Sequence, residues 1–120
     1  MDIKKYDYVR INQDCRGCIG IGKVVNVVKE IVYIDMSNKY NLPISMPVDR
    51  IAKHGKYIKD VLEVGDFVNG SKVLDIHIPR DTWEPIEITI DSKTINYITP
   101  DDIQTILTRE QYEQNCLKRG

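Results

Sequence analysis

Alanine is nearly missing from this chain. Its 120 residues include one Ala (Ala52) and five Leu, against 18 Ile and 11 Val. Strong helix formers are scarce and β-branched residues, which favour strands, dominate. A mostly helical bundle is not expected. Long apolar runs are missing too, since none approaches the roughly 20 residues that span a bilayer. The opening Met1-Asp2-Ile3-Lys4-Lys5-Tyr6 has no apolar signal core. The expectation is a cytoplasmic protein with no membrane contact. Charge of one sign is also lacking: 17 Lys and Arg against 18 Asp and Glu leave a net charge of −1. As a whole the chain is neither a polyanion mimic nor a basic nucleic-acid binder.

Cysteine is sparse and odd in number, at three. Without a secretory signal these read as reduced thiols. Catalytic signatures are missing: there is no Gly-x-Ser-x-Gly, no His-Glu-x-x-His and no Gly-Lys-Ser/Thr phosphate loop. His54 and His77 have no nucleophile beside them in the sequence. The expectation is a protein that is not an enzyme and needs no cofactor.

What is present is punctuation. Turn signals recur at Gly17, Gly20, Gly22, Asn38, Pro43, Gly55, Gly65-Asp66, Asn69-Gly70, Pro79, Pro85, Asp91-Ser92 and Pro100. Short apolar or alternating runs sit between them, which predicts antiparallel hairpins. Tyr8–Ile11, Gly22–Val28 and Ile31–Met36 read as strands, with Lys29-Glu30 as a two-residue hairpin.

The pattern then repeats. Val64-Gly65-Asp66-Phe67-Val68 echoes Tyr6-Asp7-Tyr8-Val9, and Val73-Leu74-Asp75-Ile76 echoes Val24-Val25-Asn26-Val27. Ile86–Asp91 echoes Ile31–Asp35, and Asn96–Ile103 echoes Ile44–Ile51. Each copy reads as four strands, one short helical turn and a last strand, at Ile51–His54 and Gln104–Thr108. That order predicts an all-β chain of two SH3-like barrel repeats with a short C-terminal α-helix; one larger open barrel is the alternative. The first repeat covers residues 1–56, a linker turn and the second repeat cover 57–108, and the helix covers 109–120. Copies this small bury little core alone, so they are expected to share an interface through Ile58, Val61 and Leu62. The helix is expected from about Arg109 to Leu117, opened by a Thr108-Arg109-Glu110-Gln111 capping box. Thr99-Pro100-Asp101-Asp102 has the chemistry of a helix start.

Four features could carry function. Cys15-Arg16-Gly17-Cys18 has zinc or redox spacing, but no second close pair accompanies it, and a loop with two thiols is the favoured reading. Gly17-Cys18-Ile19-Gly20-Ile21-Gly22 leads into a strand rather than a helix, which favours a hairpin loop or bulge over a phosphate cradle. Pro79-Arg80-Asp81-Thr82-Trp83-Glu84-Pro85 is a loop tip with the chain's one Trp. Trp and Arg dominate binding hot spots, so Arg80 and Trp83 are candidate partner contacts, with Trp83 as a barrel plug the alternative. Residues 1–60 carry 11 Lys and Arg against 7 Asp and Glu, and 61–120 carry 6 against 11. Such asymmetry could serve head-to-tail pairing or an electrostatic partner, with uneven solvated surface the favoured reading; together with the apolar face of the C-terminal helix it makes a homodimer the expectation to test. The basic and aromatic residues of the first half add Arg10, Arg50 and Tyr33 as candidate contacts, although aromatics at strand positions are more often core.

Two stretches, Ile58–Val73 and Asp102–Glu113, resemble a family of small proteins from phages and prophages of low-GC Gram-positive bacteria. The resemblance covers the linker and second half well and the first half loosely. It implies a shared fold and a mobile-element origin, and transfers no catalytic or binding residues. It further implies a protein of the host cytoplasm that binds a host factor, as an inhibitor of antiphage defence. The partner would be a host defence protein or a nucleotide signal. A nucleic-acid-binding accessory protein of a mobile element is the alternative, with nucleic acid the less favoured partner.

Overall fold

The computed structural model describes residues 2–12, 19–36, 42–81 and 83–115. The chain divides into two compact units, Met1–Val61 and Leu62–Gly120. Unit 1 holds β1 (Tyr8–Ile11), β2 (Gly20–Val28), β3 (Ile31–Asp35), β4 (Ile44–Pro47), a 3₁₀ turn at Val48–Arg50, β5 (Lys53–Gly55) and a second 3₁₀ turn at Ile58–Asp60. Unit 2 holds β6 (Phe67–Val68), β7 (Ser71–His77), β8 (Glu87–Ile90), β9 (Tyr97–Ile98), a 3₁₀ turn at Pro100–Asp102, β10 (Ile106–Leu107) and α1 (Arg109–Asn115). The chain is mostly β with one short α-helix, as its Ile and Val content leads one to expect. Among the described residues, no helix is long and apolar enough to cross a membrane.

Each unit folds into a five-stranded antiparallel sheet. The orders are β4-β3-β2-β1-β5 and β10-β6-β7-β8-β9. Within each unit, then, the first strand pairs with both the second and the fifth. Period-two burial sets the faces. In β3, Val32 and Ile34 are buried while Tyr33 and Asp35 are exposed. They join Ile3, Val9, Ile11, Val24 and Ile51 in the core of unit 1. In unit 2, Val68, Val73, Ile88, Ile90 and Ile98 are buried. Burying one such side chain contributes about 1.5–3 kcal/mol.

The local devices recur as well. Asp7 N–H donates to the Lys4 carbonyl (3.1 Å), and Val24 N–H donates to the Asp7 carbonyl (2.8 Å). In unit 2, Asp66 N–H donates to Glu63 (3.1 Å), and Val73 N–H donates to Asp66 (2.7 Å). The β2–β3 register shifts between Val24 and Asn26, and the β7–β8 register between Val73 and Asp75. At both bulges a side chain receives the next residue's amide: Val27 N–H donates to Asn26 Oδ1 (3.0 Å) and Ile76 N–H to Asp75 Oδ1 (2.9 Å).

The expected caps form. Gln111 N–H donates to Thr108 Oγ1 (3.2 Å), and Thr108 N–H donates to Gln111 Oε1 (2.8 Å). Thr99 N–H donates to Asp102 Oδ2 (3.1 Å), closing the 3₁₀ turn that Pro100 begins. The last strands are Lys53–Gly55 and Ile106–Leu107 rather than Ile51–His54 and Gln104–Thr108, because ladder pairing with β1 and β6 begins only after two or three residues beyond each 3₁₀ turn. Cys116 and Leu117, the expected end of the helix, lie outside the described residues.

Candidate binding surface

The loop between β7 and β8 covers residues 78–86. Its base is closed by the cross-strand pair His77 and Glu87. A turn within it is held by Glu84 N–H donating to the Asp81 carbonyl (3.3 Å). Pro79 and Pro85 fix φ near both ends and limit the conformations open to the segment. Trp83 does not fold back onto the chain: it is 79% exposed. Arg80 is exposed and Ile78 is 56% exposed, so the loop shows apolar area and a guanidinium together. Thr82 lies outside the described residues.

The candidates of unit 1 separate. Tyr33 sits mid-strand on the outward face of β3, flanked across the ladder by Asn26 and Ser45, and is 37% exposed. Arg50 is exposed at the end of the first 3₁₀ turn. Arg10 is not a surface residue and is removed from the set of contacts. It is fully buried, donating Nη1–H to the Val61 carbonyl (2.9 Å) and Nε–H to Asn12 Oδ1 (3.1 Å). The reason is topological: β1 lies between β2 and β5, and the backbone at Val61 returns to it. A buried guanidinium persists only where its donors are satisfied. Nothing in Tyr8-Val9-Arg10-Ile11 announces this.

Sequence reasoning passed over two polar anchors. Asp66 is fully buried and accepts from Glu63 N–H (2.8 Å) and from Arg109 N–H (3.0 Å), joining β6 to the start of α1. Asn69 accepts from Gln104 N–H (2.7 Å) and Thr105 N–H (3.1 Å) and donates to the Asp102 carbonyl (2.8 Å). The Gly65-Asp66 and Asn69-Gly70 turn signals were the available clue to both.

Among the described residues, no group of three or more His, Cys, Asp and Glu side chains is disposed to hold a metal ion. The Cys15-Arg16-Gly17-Cys18 motif lies outside the described residues, while Gly20 and Gly22 lie within β2. His54 Nδ1 is 4.0 Å from Asp7 Oδ2.

The chain matches no protein-family model, no curated protein and no solved structure at significant similarity.

Proposed function

We propose that this is a non-catalytic phage or prophage protein, built from two SH3-like barrels, that binds a host factor and inhibits an antiphage defence. The SH3-like reading is supported by the repeated element order: four strands, a 3₁₀ turn, and a fifth strand paired with the first. The observation that carries the binding reading is Trp83, 79% exposed on a loop bounded by two prolines beside an exposed Arg80. An exposed Trp on a restrained loop offers large apolar area at a low ordering cost. Arg80 adds directed hydrogen bonds to an acidic or carbonyl-rich partner. The mobile-element resemblance of Ile58–Val73 and Asp102–Glu113 supports a host defence protein as the factor, met in the host cytoplasm.

Affinity purification from the host, with wild-type protein and Trp83→Ala compared by mass spectrometry, tests this reading. The partner is expected on the wild type and missing from the variant, with affinity reduced by at least about 2 kcal/mol. The melting temperature is expected to stay unchanged, because the side chain buries little. Lost stability with unchanged binding refutes the assignment of Trp83 as the contact.

A further inference from the structure

Unit 1 gathers tyrosines under lysines at one corner. Tyr8 on β1 and Gly55 on β5 are direct cross-strand partners. Tyr6 lies two residues before Tyr8, and Tyr57 two residues after Gly55. Cross-strand partners are about 5 Å apart at Cα, so all three rings originate within a few residues' reach. Each ring carries an ammonium. Lys5 Nζ is 5.2 Å from the Tyr6 centroid and Lys23 Nζ is 5.3 Å from that of Tyr8. Over Tyr57 stand Lys56 Nζ at 5.6 Å and Lys59 Nζ at 5.8 Å. Tyr6 and Tyr57 are 62% and 55% exposed, so these stacks face solvent.

We propose that this corner binds single-stranded nucleic acid, its lysines taking phosphates and the rings of Tyr6 and Tyr57 taking bases. A cation–π contact in water is weak, and a lysine leaves it readily for a phosphate. The vacated ring face is then available for stacking, which every base satisfies. Nearby acids are largely engaged by the fold. Asp7 Oδ2 accepts from Lys4 N–H (3.0 Å). Asp60 Oδ2 accepts from Tyr57 N–H (2.9 Å), and its Oδ1 lies 3.7 Å from Lys59 Nζ. Asp35 stands across the ladder from Lys23. Two exposed rings from separate segments of the corner, Tyr6 before β1 and Tyr57 after β5, suit consecutive nucleotides better than one enclosed nucleotide. This surface lies on unit 1 and is independent of Trp83.

The test is fluorescence anisotropy with a labelled oligothymidylate about twelve nucleotides long at low salt. Wild-type protein is expected to bind with a log–log salt slope of about −2, for phosphate contacts by Lys5, Lys23 and Lys56 on a single strand. Tyr57→Leu, which keeps bulk and removes the π face, and Tyr6→Gly, which suits the backbone there, are each expected to lose about tenfold in affinity. Lys56→Ala is expected to weaken binding and flatten the slope by somewhat under one. Trp83→Ala is expected to bind like wild type. Melting curves accompany every variant, and Tyr6→Gly is informative because it lowers binding without lowering stability. No binding at low salt overturns the proposal. So does unchanged affinity in both tyrosine variants, which leaves only diffuse attraction to a polyanion. Equal weakening by Lys93→Ala in unit 2 overturns it too, and a mononucleotide bound as tightly as the oligonucleotide overturns the commitment to a strand.

Discussion

In unit 1 the β2–β3 hairpin turns tightly at Lys29-Glu30, and the β1–β2 connection, residues 12–19, is long. In unit 2 the lengths are exchanged: β6 and β7 join tightly at Asn69-Gly70, and the β7–β8 loop, residues 78–86, is long. Yet both sheets have the same order, the same bulge after the second strand begins, and the same 3₁₀ turn before the last strand. Loop length is thus free to vary where strand order is not. What does not vary is the aspartate turn leading into the first strand, the bulge, and the register they impose. Trp83 occupies the connection that is long only in unit 2, where a constant scaffold tolerates variation in length.

The two aspartate turns differ in their side-chain partners, and that difference predicts the largest effect. Asp66 is fully buried and receives two backbone amides, one of them from the first residue of α1. Asp7 receives the Lys4 amide and stands 4.0 Å from His54 Nδ1. Asp66→Ala is expected to cost about 3 kcal/mol, since two hydrogen bonds to a charged group are lost inside the unit. Asp7→Ala is expected to cost about 1 kcal/mol, the scale of one lost cap. Denaturant unfolding of both variants measures the pair, and equal losses would break the asymmetry.

Next in size is Asn69, which follows Val68 as Arg10 follows Val9. Both residues fasten their strand to later chain, Arg10 to the Val61 carbonyl and Asn69 to residues 102, 104 and 105. Asn69→Ala is expected to cost about 2 kcal/mol, combining lost hydrogen bonds with a left-handed backbone at φ 50°. Asn69→Gly tolerates that φ, so its smaller loss in the same denaturant experiment isolates the side chain's share.

Much of this was legible beforehand, for reasons that can be named. The echo of Tyr6-Asp7-Tyr8-Val9 in Gly65-Asp66-Phe67-Val68 aligns residues that make the same backbone hydrogen bonds at the start of each unit's first strand. The Thr108–Gln111 and Thr99–Asp102 caps are short-range chemistry, which a sequence displays directly. Burial of Arg10 was not legible, because it depends on the Val61 carbonyl 51 residues away. The lysine–tyrosine corner was only half legible: Tyr8, Lys23, Tyr57 and Lys56 stood among the basic and aromatic residues, but their convergence follows from the β1–β5 pairing. Tyr6 gave no sign of its unusual backbone except by its alignment with Gly65.

That alignment gives a smaller prediction. Tyr6 holds φ 74° where unit 2 has Gly65 at φ 97°. A left-handed L-residue costs about 1–2 kcal/mol, and glycine's greater unfolded-state freedom returns about half of that. Tyr6→Gly is expected to raise stability by about 0.5 kcal/mol, and Gly65→Ala to lower it by about 1 kcal/mol. Thermal melts of the two variants should therefore move in opposite directions. A fall for both would show that the Tyr6 ring, with Lys5 beside it, contributes more than its backbone costs.

The smallest effect concerns the two tight hairpins. Asn69-Gly70 has both residues at positive φ, 50° and 84°, the combination that matches the twist of its flanking strands. Lys29 adopts φ 55° in the tight turn of unit 1, which joins its second and third strands, with neither asparagine nor glycine to ease it. The strain is tolerated because Val28 and Ile31 remain paired across the ladder and Val48 N–H donates to the Glu30 carbonyl (2.9 Å), fixing the turn from outside. Lys29→Asn is expected to stabilise the protein by about 0.5 kcal/mol, since asparagine enters the left-handed region more readily than lysine. The Lys29 side chain is exposed, so little packing is lost with it. Denaturant melts at constant slope measure the gain. A neutral result with an unchanged slope would mean that the contact from Val48, rather than the turn residue, sets the energy of this hairpin, and that the tight connections of the two units are held by different means.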